Sequence, residues 1–449
     1  MEKTTQLSVM GGGLVGCLLS LYLAKQGYRV DVYERRPDLR RTDIEGGRSI
    51  NLALSDRGWR ALETIGIAAE IRKVAIPMYR RVMHDKGGNL SFQPYGKEGQ
   101  AIYSVSRGGL NQALLDLAEA EPGISLHFQQ QVLEVEVATN RVTLLDNPSG
   151  QAYQINPDVV FAADGAYSMV RLSLQKTDRF NYEQSYLDYG YKELTIPPTA
   201  GGEWQLEKNA LHIWPRGQYM MIALPNLDGS FTCTLFFPYE GEPSFQSLQT
   251  PAQVQQFFRE TFPDAAALMP DLENEFFENP TGSLVTIKCL PWHHNGNILL
   301  LGDAAHAIVP FYGQGMNAGF EDCTVLRGLL EKHPGDWETI FQTFQELRKP
   351  NTDAIADLAV YNFIEMRDKV ADPRFLLQKK IEAKISAQYP DNWLPLYSMV
   401  TFSPDLPYAE ALANGRRQEE IMRQLMEYIQ TEEDYNKPEV QQLLQAQLA

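Results

Sequence analysis

Gly11, Gly13 and Gly16 constrain this chain more than any other group of residues. They form a G-x-G-x-x-G run directly after a short apolar strand begun by Leu7 and Val9. Behind them Val15, Leu18, Leu19, Tyr22 and Leu23 recur at helical spacing up to Gly27, and an alternating strand with Val30 and Val32 ends at Glu34. The glycines, lacking Cβ atoms, let a pyrophosphate approach the helix N-terminus, where free N–H groups and the helix dipole favour an anion. Glu34, 23 residues after Gly11, is placed to accept hydrogen bonds from the ribose hydroxyls of an adenosine. A lone glycine run can be an ordinary turn; with both strands and the acid in place, the unit reads as a dinucleotide site. It does not by itself separate FAD from NAD(P).

Two later blocks bear on that choice. Val159 to Ala163 is a continuous apolar run, hence a buried strand, and it stops at Asp164-Gly165. Ile298 to Leu301 is a second such strand and ends in Gly302-Asp303. A glycine loop follows, with Gly313, Gly315, Met316 and Asn317, and then a helix with Phe320, Cys323 and Leu326 on one face. Acids at the carboxyl ends of buried parallel strands stand where open α/β sheets bind ligands. Asp303 could equally serve as a helix N-cap. His306, among small apolar residues and without a carboxylate or cysteine close in sequence, reads as structural rather than catalytic.

The 449 residues can bury a large core and form two or three domains. Against 57 acidic residues stand 40 basic ones, a net charge of −17 that disfavours nucleic acid and anionic lipid as partners. Cys17, Cys233, Cys289 and Cys323 lack metal-ligand or CxxC spacing and read as reduced thiols of a cytoplasmic protein. No apolar run approaches the roughly 20 residues that span a bilayer. The expectation is a soluble chain with no membrane partner, a monomer or homodimer, without a leader peptide or a C-terminal anchor.

In order and spacing the three blocks (GxGxxG, DG, GD) resemble the aromatic-hydroxylase class of FAD monooxygenases, whose fold is that of p-hydroxybenzoate hydroxylase. Within that class the chain is similar to the kynurenine-hydroxylating members. The similarity is carried by "GRSINLALSDRG" at 47–58, "YSVSRGGLN" at 103–111, "LHIWPR" at 211–216, "MMIALPN" at 220–226, "FTCTLF" at 231–236, the run from Leu300 to Cys323, "YNFIEMR" at 361–367 and "PLYSMVTFS" at 395–403. It extends from about residue 7 to about 425. Arg80 and Tyr312 depart from the residues usual in those members.

The resemblance implies an α/β FAD-binding domain from residues 1–75, 97–180 and 280–350, an inserted mixed β-sheet substrate domain from 76–96 and 181–279, and a helical C-terminal region, 351–449. It implies non-covalent FAD held by Gly11, Gly13, Gly16, Glu34, Arg36, Ala53, Arg107, Val132, Asp303, Gly315, Met316 and Asn317. It implies NADPH and O₂ as co-substrates and L-kynurenine as substrate, hydroxylated at carbon 3 through a flavin C4a-hydroperoxide. The flavin carries the chemistry, so no catalytic side chain and no metal are expected. The segment from Gly47 would return along the flavin, its small residues and main chain packing close to a ring system, and Ser55 would cap the helix that follows.

On the substrate side the residues give partial support. Tyr79 to Gly96 reads as a hairpin turning at Asp85-Lys86-Gly87-Gly88-Asn89, which brings Arg81 and Tyr95 to one face. Alone they read as ordinary edge-strand residues; the resemblance assigns them the substrate carboxylate. Met220, Ile222 and Leu224 alternate on one face of a strand, with Leu211 and Phe236 on neighbouring strands, as an apolar bed for an aromatic ring or simply a sheet core. The resemblance adds Pro310 and Phe311 to that bed. It places Asn362 and Tyr397 at the substrate's amino-acid end, in a C-terminal region that closes over it. Two rivals stay open: a flavin hydroxylase of another aromatic acid, such as an anthranilate or salicylate type, and a non-catalytic FAD-binding redox protein.

Overall fold

The structure is a computed structural model describing residues 5–41, 51–368 and 372–448. Gly47, Arg48, Ser49 and Ile50, the first part of the expected flavin-lining segment, lie outside the described residues.

The glycine run sits in a six-stranded sheet. Gln6–Met10 is its central strand, flanked in parallel by Val159–Ala162 and Arg29–Glu34, with Ile298–Leu300 and Ile124–Phe128 beyond them. His293–His294 adds an antiparallel edge. Strands covered on both faces need apolar side chains at every position, which is why Val159–Ala162 is buried throughout. The helix Leu14–Lys25 is buried from Gly16 through Leu23, a wider apolar surface than a single stripe. It lies between the sheet and two helices, Arg107–Ala120 and Gly315–Lys332.

A seven-stranded mixed sheet forms the other half. In order it runs Gly282–Leu290, Asn181–Ile196, Phe231–Pro238, Met220–Pro225, Ala210–Pro215, Arg80–His84 and Leu90–Pro94. Two boundaries expected from the sequence fall elsewhere here. Ala75–Met78 stays in a small sheet with Ile102–Ser106 and Asn51–Leu54, so the excursion into the larger sheet starts at Arg80 rather than 76. Gly282–Leu290 belongs to the larger sheet although 280–350 was assigned to the nucleotide unit. The cause is the length of Asn181–Ile196: its 16 residues would leave an open ladder edge unless a second partner covered it.

The boundary at 350/351 falls inside one 32-residue helix, Trp337–Asp368. Pro350 lacks an N–H, yet packing carries the helix through it: Arg348 is buried against Glu321 and Asp322, and Ile355 and Ala359 are fully buried. Further helices, Pro373–Gln388, Leu396–Phe402, Tyr408–Leu425 and Pro438–Leu448, complete the C-terminal region. Among the described residues no helix is long and apolar enough to cross a membrane.

Candidate active site

Between the two large sheets and the C-terminal helices lies one connected cavity of about 1910 Å³. Its nucleotide-side wall is organised around the glycine turn. At Gly13 an added Cβ would meet nothing within 4 Å, so the turn opens into the cavity. At Gly16 a Cβ would sit 1.9 Å from the Gly11 carbonyl, so Gly16 lets helix and strand pack rather than lining the space. Glu34 Oε2 accepts from the Gly12 N–H at 2.8 Å, and Oε1 accepts from Arg36 Nε at 2.7 Å and from the Arg36 N–H at 2.9 Å. Burial pushes the Glu34 carboxyl up, but the Arg36 guanidinium and the two N–H groups outweigh it and hold it below its usual range. Glu34, Arg36, Ala53, Arg107, Val132, Asp303, Gly315 and Met316 all line this wall.

Asn317 lies behind the wall, fully buried. Its Nδ2 donates to the carbonyls of Ala53 and Gly313, both at 2.9 Å, and its Oδ1 accepts from the Ser55 N–H at 2.9 Å. It therefore ties the Asn51–Leu54 strand to the glycine loop. Ser55 is the N-cap residue of Asp56–Thr64, but its side chain makes no capping bond. The hydroxyl instead faces Gln314 Oε1 at 3.5 Å, and Asn317 takes the Ser55 N–H. Asp303 is the first residue of a short helix whose N-cap is Gly302, so it is not the cap itself and stands exposed at the cavity. His306 is buried and bonds Asp322 Oδ2 at 2.7 Å; Asp322 also pairs with Arg348, which makes the histidine structural.

The wall fits a flavin dinucleotide on its own evidence. It offers a bare glycine turn at the start of a 12-residue helix, Leu14–Lys25, and an acid at the end of the second strand. Asp164 adds a buried oxygen, Oδ1, without a hydrogen-bond partner among the described residues. Burial raises the Asp164 carboxyl despite the N–H groups of Met169 and Val170 on its other oxygen.

The facing wall is made of side chains. Arg81 pairs in register with Gln93, so Tyr95 lies one pleat further along on the same face, diagonal rather than opposite. The Arg81 Cζ stands 4.8 Å from the Tyr95 ring centroid and 4.3 Å from that of Tyr397. Tyr397 stacks on Tyr95 at 5.6 Å and on Tyr312 at 5.7 Å. Among the described residues Arg81 makes no ion pair, whereas adjacent Arg80 pairs with Glu207 on the outer face. Burial raises the Tyr95 and Tyr312 hydroxyls, so both remain donors at neutral pH. Met220, Ile222 and Leu224 do share a face and line the cavity with Leu211, Phe236, Pro310 and Phe311. Asn362 lines it too, its Nδ2 donating to the Phe311 carbonyl at 2.7 Å.

Of the residues expected from sequence, the cavity wall thus brings together all but Gly16 and Asn317. Sequence reasoning missed Tyr167 and Glu365 as wall residues. Glu365 could have been found, since it follows Asn362 by three positions and so shares its helix face. It pairs with Lys379 at 3.5 Å.

Residues 4–358 match the family model described as an FAD binding domain. The chain is 52% identical over 443 residues to the kynurenine 3-monooxygenase of Flavobacterium johnsoniae, covering 98% of both chains. It is 50% identical to that of Myxococcus xanthus, covering 98% of this chain and 95% of the relative. The chain belongs to the kynurenine 3-monooxygenase family. The Dictyostelium discoideum member is 44% identical over 98% of this chain and 97% of its own. In fold this family member is similar to 2-methyl-3-hydroxypyridine-5-carboxylic acid oxygenase, with a TM-score of 0.67, 20% identity and coverage of 83% and 95% of the two chains. It is also similar to PqsL, a probable FAD-dependent monooxygenase from Pseudomonas aeruginosa, with a TM-score of 0.63, 20% identity and coverage of 81% and 97%.

Proposed function

We propose that this chain hydroxylates L-kynurenine to 3-hydroxy-L-kynurenine with non-covalent FAD, consuming NADPH and O₂. The observation that carries the reading is Arg81, which makes no ion pair among the described residues and stands between two tyrosine rings at the end of an apolar bed. A cation with no anionic partner among the described residues, in a partly desolvated site, favours a ligand carboxylate, which the planar guanidinium can take bidentately.

Arg81, with the Tyr95 and Tyr397 hydroxyls, binds the carboxylate, and Asn362 stands at the same end. Leu211, Met220, Ile222, Leu224 and Phe236 hold the ring flat, and Pro310 and Phe311 set its distance from the cofactor wall. Bound flavin supplies the redox chemistry, accepting reducing equivalents from NADPH and activating O₂. The protein orients the ring, keeps water out and favours negative charge on the flavin with the first-turn N–H groups of Gly315–Lys332. We place the protein in the cytoplasm on its four cysteines, all buried and unpaired.

The test is the absorption spectrum of the purified protein, followed by NADPH oxidation with and without L-kynurenine. The reading expects bound flavin and substrate-stimulated oxidation that yields 3-hydroxykynurenine. A flavin-free protein that cannot be reconstituted, or equal stimulation by anthranilate or salicylate, would sink it.

A further inference from the structure

Arg57 is the one arginine of the Asp56–Thr64 helix whose side chain is almost fully buried, at 1% exposure, and the catalytic reading leaves it without a task. All five of its N–H donors are used. Nε donates to the Val400 carbonyl at 3.0 Å. Nη1 donates to Glu321 Oε1 at 2.7 Å and to the Pro404 carbonyl at 3.5 Å. Nη2 donates to the carbonyls of Ser403, at 3.2 Å, and Leu406. Its Cζ stacks 3.9 Å from the Tyr408 ring centroid.

Those carbonyls have a common location. Val400 is in the last turn of Leu396–Phe402, Ser403 is its C-cap, and Pro404 and Leu406 follow directly. A helix leaves its final carbonyls unpaired and its C-terminus partly negative, so a buried cation there answers both needs. The second residue of the same helix is Tyr397, whose ring lies over Arg81.

The other end of the connection reaches the cofactor wall. Arg57 lies two residues after Ser55, whose N–H is held by Asn317. The Tyr408 hydroxyl donates to Gln314 Oε1 at 2.9 Å, between the wall residues Gly313 and Gly315. An added Cβ at Gly58 would come 2.5 Å from Asn317 Oδ1, so this helix start sits tightly against the glycine loop.

We propose that Arg57 is a positioning residue: by capping the Leu396–Phe402 helix it fixes Tyr397 over Arg81, joining the geometry of the substrate grip to that of the flavin loop. The inference rests on the functional reading above for its kinetic consequences, but not for its structural one.

Arg57→Lys keeps the charge but has three donors where five acceptors wait. In flavin-loaded protein, amide hydrogen exchange of the 396–403 segment should speed up, while the Gly315–Lys332 helix stays at the wild-type rate. The KM for L-kynurenine should rise by roughly tenfold, as for loss of one hydrogen bond to a charged group, with a much smaller change in kcat. In a Tyr397→Ala background Arg57→Lys should add nothing further, because its effect passes through that ring. Unchanged exchange, or KM increases that multiply in the double variant, would overturn the inference. If Arg57→Lys fails to fold, Arg60→Ala replaces it. Arg60 donates to the Pro404 carbonyl at 3.0 Å from a partly exposed position and should move KM the same way by a smaller factor. An unaltered KM in Arg60→Ala then overturns the proposal. Wild-type protein inactive on kynurenine would fail the functional reading alone, and the exchange measurement would still decide this one.

Discussion

The two walls of the cavity are built on different principles. The cofactor wall is organised around glycine turns and strand ends, with Glu34 and Asp164 beside them. The substrate wall is side chains from a hairpin, further strands of the same sheet, a short 3-10 turn and helices of the C-terminal region. A wall of glycine turns depends on what is absent from a position. A side-chain wall depends on what several distant segments bring to one place.

That difference explains what could be read from the sequence. Strand, glycine run, helix, strand and acid lie within about thirty residues and follow from local geometry alone, so the nucleotide unit was legible. The alternation of Met220, Ile222 and Leu224 fixed a shared face, and the hairpin turn fixed the face of Arg81. The one-pleat offset between Arg81 and Tyr95 depended on register, which the five-residue turn leaves open. The partner of His306 is sixteen residues away, on the next helix. The carbonyl partners of Arg57 lie more than 340 residues downstream. No local pattern encodes either. The pairing of Gly282–Leu290 has the same origin, since it is decided by the open edge of a distant strand. That Asn362 and Tyr397 line the same cavity as Arg81 came from resemblance, not from residue chemistry.

The comparison breaks most sharply at the cofactor wall. Gly13→Val should fold, because nothing lies within 4 Å of the new Cβ, yet lose flavin altogether by filling the space a pyrophosphate needs. Circular dichroism and the flavin absorbance of the purified variant check it. A folded, yellow Gly13→Val would show that this wall is not defined by missing side chains.

The next effect belongs to the substrate wall. Arg81→Ala should weaken kynurenine binding by about 2–5 kcal/mol, the range for removing the partner of a buried charge, while flavin content stays normal. Steady-state KM and the flavin-to-protein absorbance ratio measure the two quantities separately. An unchanged KM would move the carboxylate site away from this hairpin.

Tyr397→Phe removes only a hydroxyl and keeps the ring in its stack with Tyr95 and Tyr312. The expected loss is roughly 1.5–3 kcal/mol, that of one hydrogen bond to a charged group. A looser grip should also admit water, so less 3-hydroxykynurenine should form per NADPH oxidised, the remainder ending as H₂O₂. Wild-type coupling and wild-type KM together would reduce the C-terminal region to scaffold.

The smallest effect is expected one residue away from the second largest. Arg80 carries the same charge as Arg81 and follows the same chain, but strand alternation turns it outward. There it pairs with Glu207 at 2.8 Å and stacks on Phe92, both in contact with solvent. A distant anion at the substrate end would feel the two charges almost equally through the field, apart from screening by salt. Arg80→Ala therefore removes a similar long-range attraction without touching the direct contact. Its KM for kynurenine should change by less than about twofold, as befits an exposed ion pair. The ratio of the two KM changes then separates contact from field. If Arg80→Ala rivals Arg81→Ala, the substrate wall attracts its ligand by net charge, and the distinction between a wall of placed side chains and a wall of glycine turns loses its main support.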